Sequence, residues 1–141
     1  MIAIRQFQFP EDYEAVARLW KSMERGVNFG RSDTKDEIAK KVARDPDLFL
    51  IAENGNELIG TIIGGFDGRR GMIYHLAVAS SYRENGIGSQ LLAEVEKRLR
   101  AKGCLKCYLL VLTDNVEAAQ FYAHHGWQHM PYDYVFGKEF S

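Results

Sequence analysis

The sequence predicts an α/β fold, with helices covering one mixed β-sheet in an α+β arrangement. Three patterns support this: helical spacing of apolar residues near the N-terminus, three short strands in mid-chain, and strand–loop–helix units in the second half. The predicted order is β-α-α-β-β-β-α-β-α-β-β. Because 141 residues suit one ordinary domain, we expect residues 1–141 to form a single domain.

The first third of the chain predicts one strand and two helices. Ile2 and Ile4 alternate with polar or small residues, as in a short strand. Thr34 and Glu37 have the spacing of a capping box and predict the start of the second helix, which Asp45-Pro46-Asp47 ends. The first helix is predicted from apolar residues at helical spacing: Tyr13, Val16, Ala17, Trp20 and Met23.

The middle of the chain predicts three consecutive strands. These cover Leu48–Glu53, Leu58–Phe66 and Met72–Ala79. The first turn, at residues 54–57, contains Asn-Gly, which is a strong hairpin signal, and the second covers residues 67–71. We therefore expect an antiparallel meander.

The second half begins with a loop over residues 80–85 and a long helix that starts at Gly86. Gly103 suits the C-terminal end of this helix. One face of the helix is apolar and predicts packing against the sheet; it consists of Ile87, Leu91, Leu92, Val95 and Leu99.

The remaining segment predicts a strand, a helix and a final hairpin. Tyr108–Leu112 is almost entirely apolar, as expected for a strand buried on both faces. Asp114 or Asn115 then caps a helix that runs through His125. Aromatic and β-branched residues in 127–140 predict two last strands.

Composition excludes several classes of partner. A net charge of −1 provides no overall field for nucleic acid or an anionic membrane. No apolar run is long enough to span a membrane, and residues 1–9 lack a signal-peptide pattern, so we expect a cytoplasmic protein. Two cysteines do not build a disulfide framework.

A glycine-containing loop is the first candidate for chemistry. The pattern Arg-x-x-Gly-x-Gly covers residues 83–88 and leads directly into the long helix. Unpaired N–H groups at a helix N-terminus bind anions, and glycine lets an anion approach the backbone. Ser89 adds a hydroxyl group and Arg83 a charge. A plain strand-to-helix turn is the alternative interpretation, and the P-loop and dinucleotide patterns are absent.

A second pattern follows the predicted buried strand. Asn115, Ala118, Phe121-Tyr122 and Gly126-Trp127 occur in that order. Together with the Arg-x-x-Gly-x-Gly loop, this pattern resembles the signatures of the GNAT N-acetyltransferase superfamily, with tryptophan in place of the usual phenylalanine. The wider run Phe49–Gly71 is similar to the small bacterial YpeA-like branch of that family.

The resemblance implies a GNAT-like fold with a splayed parallel strand pair in its centre and acetyl-CoA as cosubstrate. It also implies which residues contact the cofactor. The strand residues Leu76, Ala77 and Val78 hold the pantetheine arm, the loop residues Arg83, Glu84, Asn85, Gly86, Ile87, Gly88 and Ser89 bind the pyrophosphate, and Asn115 and Tyr122 lie near the arm and the thioester.

The implied reaction moves an acetyl group directly to a primary amine, which is a small amine, a lysine or a protein N-terminus. Tyr122 would protonate the leaving thiolate. A CoA-binding regulatory or interaction module is the alternative function, because the usual base positions correspond to the apolar Met72 and Leu110. The aromatic tail allows a homodimer. The general base stays open among Glu53, Asp67, Tyr74, His75 and a water chain.

A zinc site is the rival interpretation. Cys104, Cys107, His125 and His129 are suitable zinc ligands. However, Gly126-Trp127 separates the two histidines and breaks the helix that would have to present both of them to one metal. We therefore predict that the protein binds no metal.

Overall fold

The computed structural model describes all residues 1–141, which form a five-stranded mixed sheet with helices on both faces. The strands are β1 (Ile2–Gln6), β2 (Phe49–Asn54), β3 (Glu57–Phe66), β4 (Gly71–Val78) and β5 (Cys107–Tyr108). The helices are α1 (Tyr13–Ser22), α2 (Lys35–Arg44), α3 (Ile87–Ala101) and α4 (Val116–His124), with short 3₁₀ turns at Arg31–Asp33 and Ser80–Tyr82. The predicted fold class is confirmed.

The sheet order is β1-β2-β3-β4-β5, with antiparallel pairing from β1 to β4 and parallel pairing between β4 and β5. The predicted meander is therefore present. None of the helices combines the length and the apolar character that crossing a membrane requires.

Two apolar cores flank the sheet, and β2 contributes to both. Phe49 and Ile51 pack on the side of α1 and α2, whereas Leu50 and Ala52 pack on the side of α3. All four side chains are fully buried because helices cover both faces of this strand. Trp20 of α1 is also fully buried and stacks on Phe49, with ring centroids 5.9 Å apart.

The parallel strands β4 and β5 separate after two residue pairs, Gly71 with Cys107 and Met72 with Tyr108. The predicted splayed pair is present, but β5 lies at the edge of the sheet and not in its centre. The prediction of a buried strand over residues 108–112 was wrong. The strand ends at Tyr108, while Leu110 and Leu112 are 65% and 60% exposed. These apolar side chains border a cleft where the two strands diverge.

The predicted last hairpin is also wrong, because no strand follows α4. The aromatic residues Tyr132, Tyr134 and Phe136 are exposed. Strand-forming residues need a neighbouring backbone edge, and the two-residue β5 provides almost none. The tail instead contacts Arg31, whose guanidinium donates to the Glu139 carboxylate at 3.1 Å and to the Phe140 carbonyl.

Gly64 on β3 lets α3 pack closely on the sheet. A Cβ atom at this position would lie 2.8 Å from Val95 Cγ2, which is closer than van der Waals contact. We expect Gly64→Ala to lower the free energy of unfolding by about 1–3 kcal/mol, because the added methyl group overpacks the core. Urea denaturation measures this loss.

Two further variants make this test specific. Gly64→Ala should cost less in a Val95→Ala background than in the wild type, because Val95→Ala removes the clashing methyl group. Gly137→Ala in the exposed tail, where a Cβ meets no atom within 4 Å, should be neutral. Wild-type stability of Gly64→Ala would show that α3 does not pack on β3 as described.

Candidate active site

A cleft of about 1090 Å³ opens where β4 and β5 separate. Its walls include β4, the segment Leu109–Leu112, the N-terminal end of α3 and one side of α4. The loop after α1 closes another side with Glu24 and Asn28. Beyond Met72, the edge of β4 that faces this cleft has no strand partner. Backbone groups of β4 are therefore available to a ligand.

A β-bulge shapes β4 where it borders the cleft. The register with β3 shifts between Thr61 and Ile63, and His75 has a left-handed φ of 49°. Before the bulge, Ile73 packs in the core beside α3, whereas His75 packs on Trp20 of α1. In a regular strand residues 73 and 75 would share a face. The bulge thus turns the His75 side chain to the α1 side.

The loop before α3 presents a series of unpaired backbone donors. No N–H group from Glu84 to Ser89 donates a hydrogen bond within the protein, and no side chain caps the helix. Gly86, the N-cap residue, has a left-handed φ of 76°, which glycine adopts without strain. Asn85 fixes the loop by donating from Nδ2 to the carbonyl oxygens of Tyr82 (3.0 Å) and Arg83 (3.2 Å).

Most of the residues predicted from the sequence border this cleft. The structure brings together Leu76, Val78, Arg83, Glu84, Gly86, Ile87, Gly88, Ser89, Asn115 and Tyr122. Two predicted residues do not line it. The Ala77 side chain is buried in the core beside α1, and the Asn85 side chain holds the loop from outside the cleft.

His125 supports this loop and was not predicted to do so. Its Nδ1 lies 2.7 Å from the Phe121 carbonyl oxygen and its Nε2 lies 2.8 Å from Ser89 Oγ. Because a carbonyl only accepts, Nδ1 carries the proton and Nε2 accepts from the Ser89 hydroxyl. The histidine thereby joins the C-terminal end of α4 to the first turn of α3. The sequence placed it at a helix end without indicating this contact.

The N-terminus of α4 forms as predicted. Asn115 is the N-cap residue, and its Oδ1 accepts from the Ala118 N–H at 3.2 Å. Arg25, near the start of the loop after α1, donates to the Asp114 carbonyl at 2.7 Å and lies 3.7 Å from its carboxylate. This contact, which the sequence did not indicate, joins the loop after α1 to the start of α4.

Tyr122 lines the cleft from α4. Its ring packs edge-on against Phe121 and Trp127, with centroids 5.2 and 6.1 Å away, and its hydroxyl group has no hydrogen-bond partner within the protein. Burial raises the pKa of this phenol to about 12, because it disfavours the phenolate. Tyr122 therefore stays protonated at neutral pH and is able to donate a proton.

Of the four side chains that are candidates for the general base, two line the cleft and two lie outside it. Glu53 accepts from Arg5 Nε at 3.0 Å and does not line the cleft. Asp67 is in the turn before β4, where N–H groups of Arg70 and Arg69 lower its pKa, and it also lies outside the cleft. Tyr74 and His75 do line the cleft, and so do the apolar Met72 and Leu110. Burial raises the pKa of Tyr74, so it is a poor proton acceptor in its neutral form.

His75 belongs to a buried polar network. Its Nε2 lies 2.8 Å from Oδ1 of Asp33, a residue only 7% exposed. Trp20 Nε1 donates to Thr61 Oγ1 at 2.9 Å, and that hydroxyl donates to the His75 carbonyl at 3.0 Å. Sequence reasoning missed Asp33, since a single aspartate in a polar, glycine-containing loop gives no signal.

The cysteines and histidines of the rival zinc interpretation border a separate pocket of about 440 Å³. Cys104 Sγ and Cys107 Sγ are 3.6 Å apart, and burial raises the pKa of Cys107 to about 12. No three or more histidine, cysteine or acidic side chains come close enough to hold a metal ion.

Comparison with known protein families identifies relatives of this chain. Residues 13–127 match the model of the acetyltransferase (GNAT) family. An acetyltransferase of Photorhabdus laumondii is 45% identical over 112 residues, which cover 79% of this chain and 76% of the relative. An acetyltransferase of Pectobacterium atrosepticum is 42% identical over 105 residues, which cover 74% of this chain and 73% of the relative. The YpeA-like branch stays a prediction, since these names identify no branch.

The fold is similar to that of a solved N-acetyltransferase structure. The PaiA N-acetyltransferase of Thermoplasma acidophilum, determined in complex with coenzyme A, superposes with a TM-score of 0.81. It is 26% identical in sequence, and the match covers 94% of this chain and 93% of that chain.

The buried phenol of Tyr122 makes a prediction about stability at alkaline pH. Between pH 10 and 12 the unfolded chain loses this proton while the folded chain keeps it, so the free energy of unfolding falls as pH rises. Tyr122→Phe lacks this titration. Relative to the variant, the wild type should lose about 1 kcal/mol on going from about pH 8 to about pH 11.

Urea denaturation at several pH values measures the difference. Tyr132→Phe in the exposed tail is the matched control and should follow the wild type. If wild type and Tyr122→Phe change in parallel with pH, the phenol is not buried as described.

Proposed function

We propose that this chain, which belongs to the acetyltransferase (GNAT) family, transfers the acetyl group of acetyl-CoA directly to a primary amine. Acetyl-CoA is the cosubstrate of the family, and family members are enzymes. In this proposal residues 1–141 act as one N-acetyltransferase domain. The acceptor is a small amine, a lysine side chain or a protein N-terminus.

The observation that carries the proposal is the run of unpaired N–H groups from Glu84 to Ser89 at the start of α3. These donors and the positive end of the helix suit a pyrophosphate. Arg83 borders the same space and has no carboxylate partner, so its charge is available to the ligand. A Cβ at Gly86 would meet no atom within 4 Å, so the approach to the loop is open.

The free edge of β4 suits the pantetheine arm. The arm contains amide groups, which pair with the backbone of an extended strand in the way that an added strand does. Residues Leu76–Val78 lie beyond the last pair with β5 and lead towards the pyrophosphate loop. Ala77 would take part through its backbone, because its side chain is buried on the opposite side. Asn115 adds an amide group at the start of α4.

Direct transfer is favoured over a covalent acyl-enzyme by the position of the thiols. Cys104 and Cys107 border the separate pocket and do not line the cleft. When bound, acetyl-CoA supplies a thioester, whose C–S bond is replaced by the C–N bond of the product amide. Tyr122 provides the proton that the leaving thiolate needs, because its phenol is neutral and lines the cleft.

The acceptor would enter beside the loop after α1. Glu24, Arg25 and Asn28 border the cleft there, and all three residues are exposed.

The tail offers exposed aromatic side chains, including Tyr134 and Phe136, which support a homodimer as part of the proposal. We also propose the cytoplasm as its location.

The function is tested by thiol release from acetyl-CoA with a panel of amines. The panel contains small amines, a peptide with an internal lysine and a peptide with a free N-terminus. We expect saturable, acceptor-dependent release with at least one class. Saturable binding of CoA with no release on any amine would contradict the enzyme and favour a CoA-binding module.

Tyr122→Phe removes the proposed acid and keeps the ring. We expect kcat to fall by about 10²-fold or more, while the Kd for CoA stays within a few-fold of the wild type. Steady-state kinetics and isothermal titration calorimetry measure the two quantities. Tyr132→Phe in the exposed tail is the control. Equal kcat for Tyr122→Phe and the wild type would remove Tyr122 from this role.

A further inference from the structure

We infer that His75 is the general base of the reaction and that Asp33 is the residue that positions it. The inference rests on the proposed acetyl transfer and names the group that takes the proton from the acceptor amine. The sequence left this group open among four side chains and a water chain.

The contact with Asp33 determines which nitrogen of His75 carries a proton. Asp33 Oδ1 lies 2.8 Å from Nε2, and Asp33 Oδ2 accepts the Gly30 N–H at 2.9 Å. An ionised carboxylate only accepts, so the short contact requires a proton on Nε2. In the neutral ring, Nδ1 therefore has a free lone pair.

The other ring nitrogen of His75, Nδ1, has no partner within the protein. No protein group hydrogen-bonds Nδ1, yet no buried polar side-chain atom of the structure lacks a partner. Nδ1 is therefore accessible to solvent, and His75 borders the cleft. The His75 side chain is 20% exposed, which is enough for one edge of the ring.

The His75 ring is held in place by its neighbours. Trp20 packs edge-on against it, with centroids 4.8 Å apart. The same Trp20 donates to Thr61, which in turn donates to the His75 carbonyl. These contacts fix a residue whose left-handed φ of 49° is uncommon outside glycine. A strained backbone conformation that is held by packing and hydrogen bonds is characteristic of functional sites.

Asp33 is the ionisable side chain that hydrogen-bonds the His75 ring, while Arg83, Glu84 and Glu117 line other parts of the cleft. Tyr13 donates from its hydroxyl to the Asp33 carbonyl at 2.7 Å. Tyr74 is adjacent in β4, and Glu24 lines the same cleft. Arg25, on the loop after α1, lines the same cleft and lies 3.7 Å from the Asp114 carboxylate. Asp33 is thus the carboxylate placed to stabilise the protonated ring.

Each proton that moves in the proposed reaction passes between His75 or Tyr122 and a substrate or solvent. The neutral acceptor amine forms the C–N bond and loses one proton to His75 Nδ1. The C–S bond breaks, and the thiolate takes the proton of Tyr122. His75 then releases its proton to solvent, and Tyr122 takes one back, so both side chains return to their starting states.

His75→Gln tests the base by kinetics. Glutamine retains a donor for Asp33 but has no basic nitrogen, so we expect kcat to fall by about 10²–10⁴-fold with an unchanged Kd for CoA. His75→Gly suits the left-handed φ, and added imidazole should restore part of its kcat. His129→Gln, an exposed histidine outside the cleft, is the control.

NMR spectroscopy gives a readout that does not depend on turnover. Long-range ¹H–¹⁵N correlations of the wild type should show neutral His75 with its proton on Nε2, and Asp33→Asn should reduce this preference. A proton on Nδ1 would overturn the inference. So would wild-type kcat in His75→Gln, or a His75→Gly variant that imidazole does not rescue, while the amine panel still shows turnover. Absence of turnover in the wild type itself would overturn the proposed function and this inference together.

Discussion

The separation of β4 from β5 after two residue pairs is the constraint on which the site depends. Continued pairing would use the backbone edge of Leu76–Val78 and close the cleft between the strands. Because the strands diverge, the edge of β4 that faces the cleft is left without a strand partner beyond Met72. Two helices that would otherwise only cover the core also border this opening. Helix α3 borders it with its N-terminal end, and α4 borders it with one side.

Four residues that border this opening have a left-handed φ, and two of them, Gly86 and His75, adopt it by different means. Gly86 needs no support, because glycine adopts positive φ freely and the space around it is open. The left-handed φ of His75 costs conformational free energy, which contacts with its neighbours must offset. Trp20 and Thr61 hold it from the α1 side through ring packing and a chain of two hydrogen bonds. The hydrophobic core beside α1 therefore also determines the geometry of the cleft.

Sequence patterns predicted the elements whose partners are close in the chain. The meander of β2 to β4 and the cap at Asn115 follow from turn and capping chemistry, which act over a few residues. Predictions over residues 108–112 and 127–140 were wrong. Apolar and aromatic composition indicates burial or a strand without specifying the partner, and here Leu110 borders a cleft while Tyr134 is exposed.

The sequence by itself determined the glycine loop that leads into α3 at Gly86 and the position of Tyr122 on α4. Both depend on local rules, since a left-handed N-cap and a helical face are encoded by residues within a few positions of one another. Only the tertiary structure decided that Asp33 meets His75, across 42 positions in the chain. That contact depends on how the loop before α2 packs over the bulge of β4. No local pattern encodes such packing, because the free energy that stabilises it comes from the whole core.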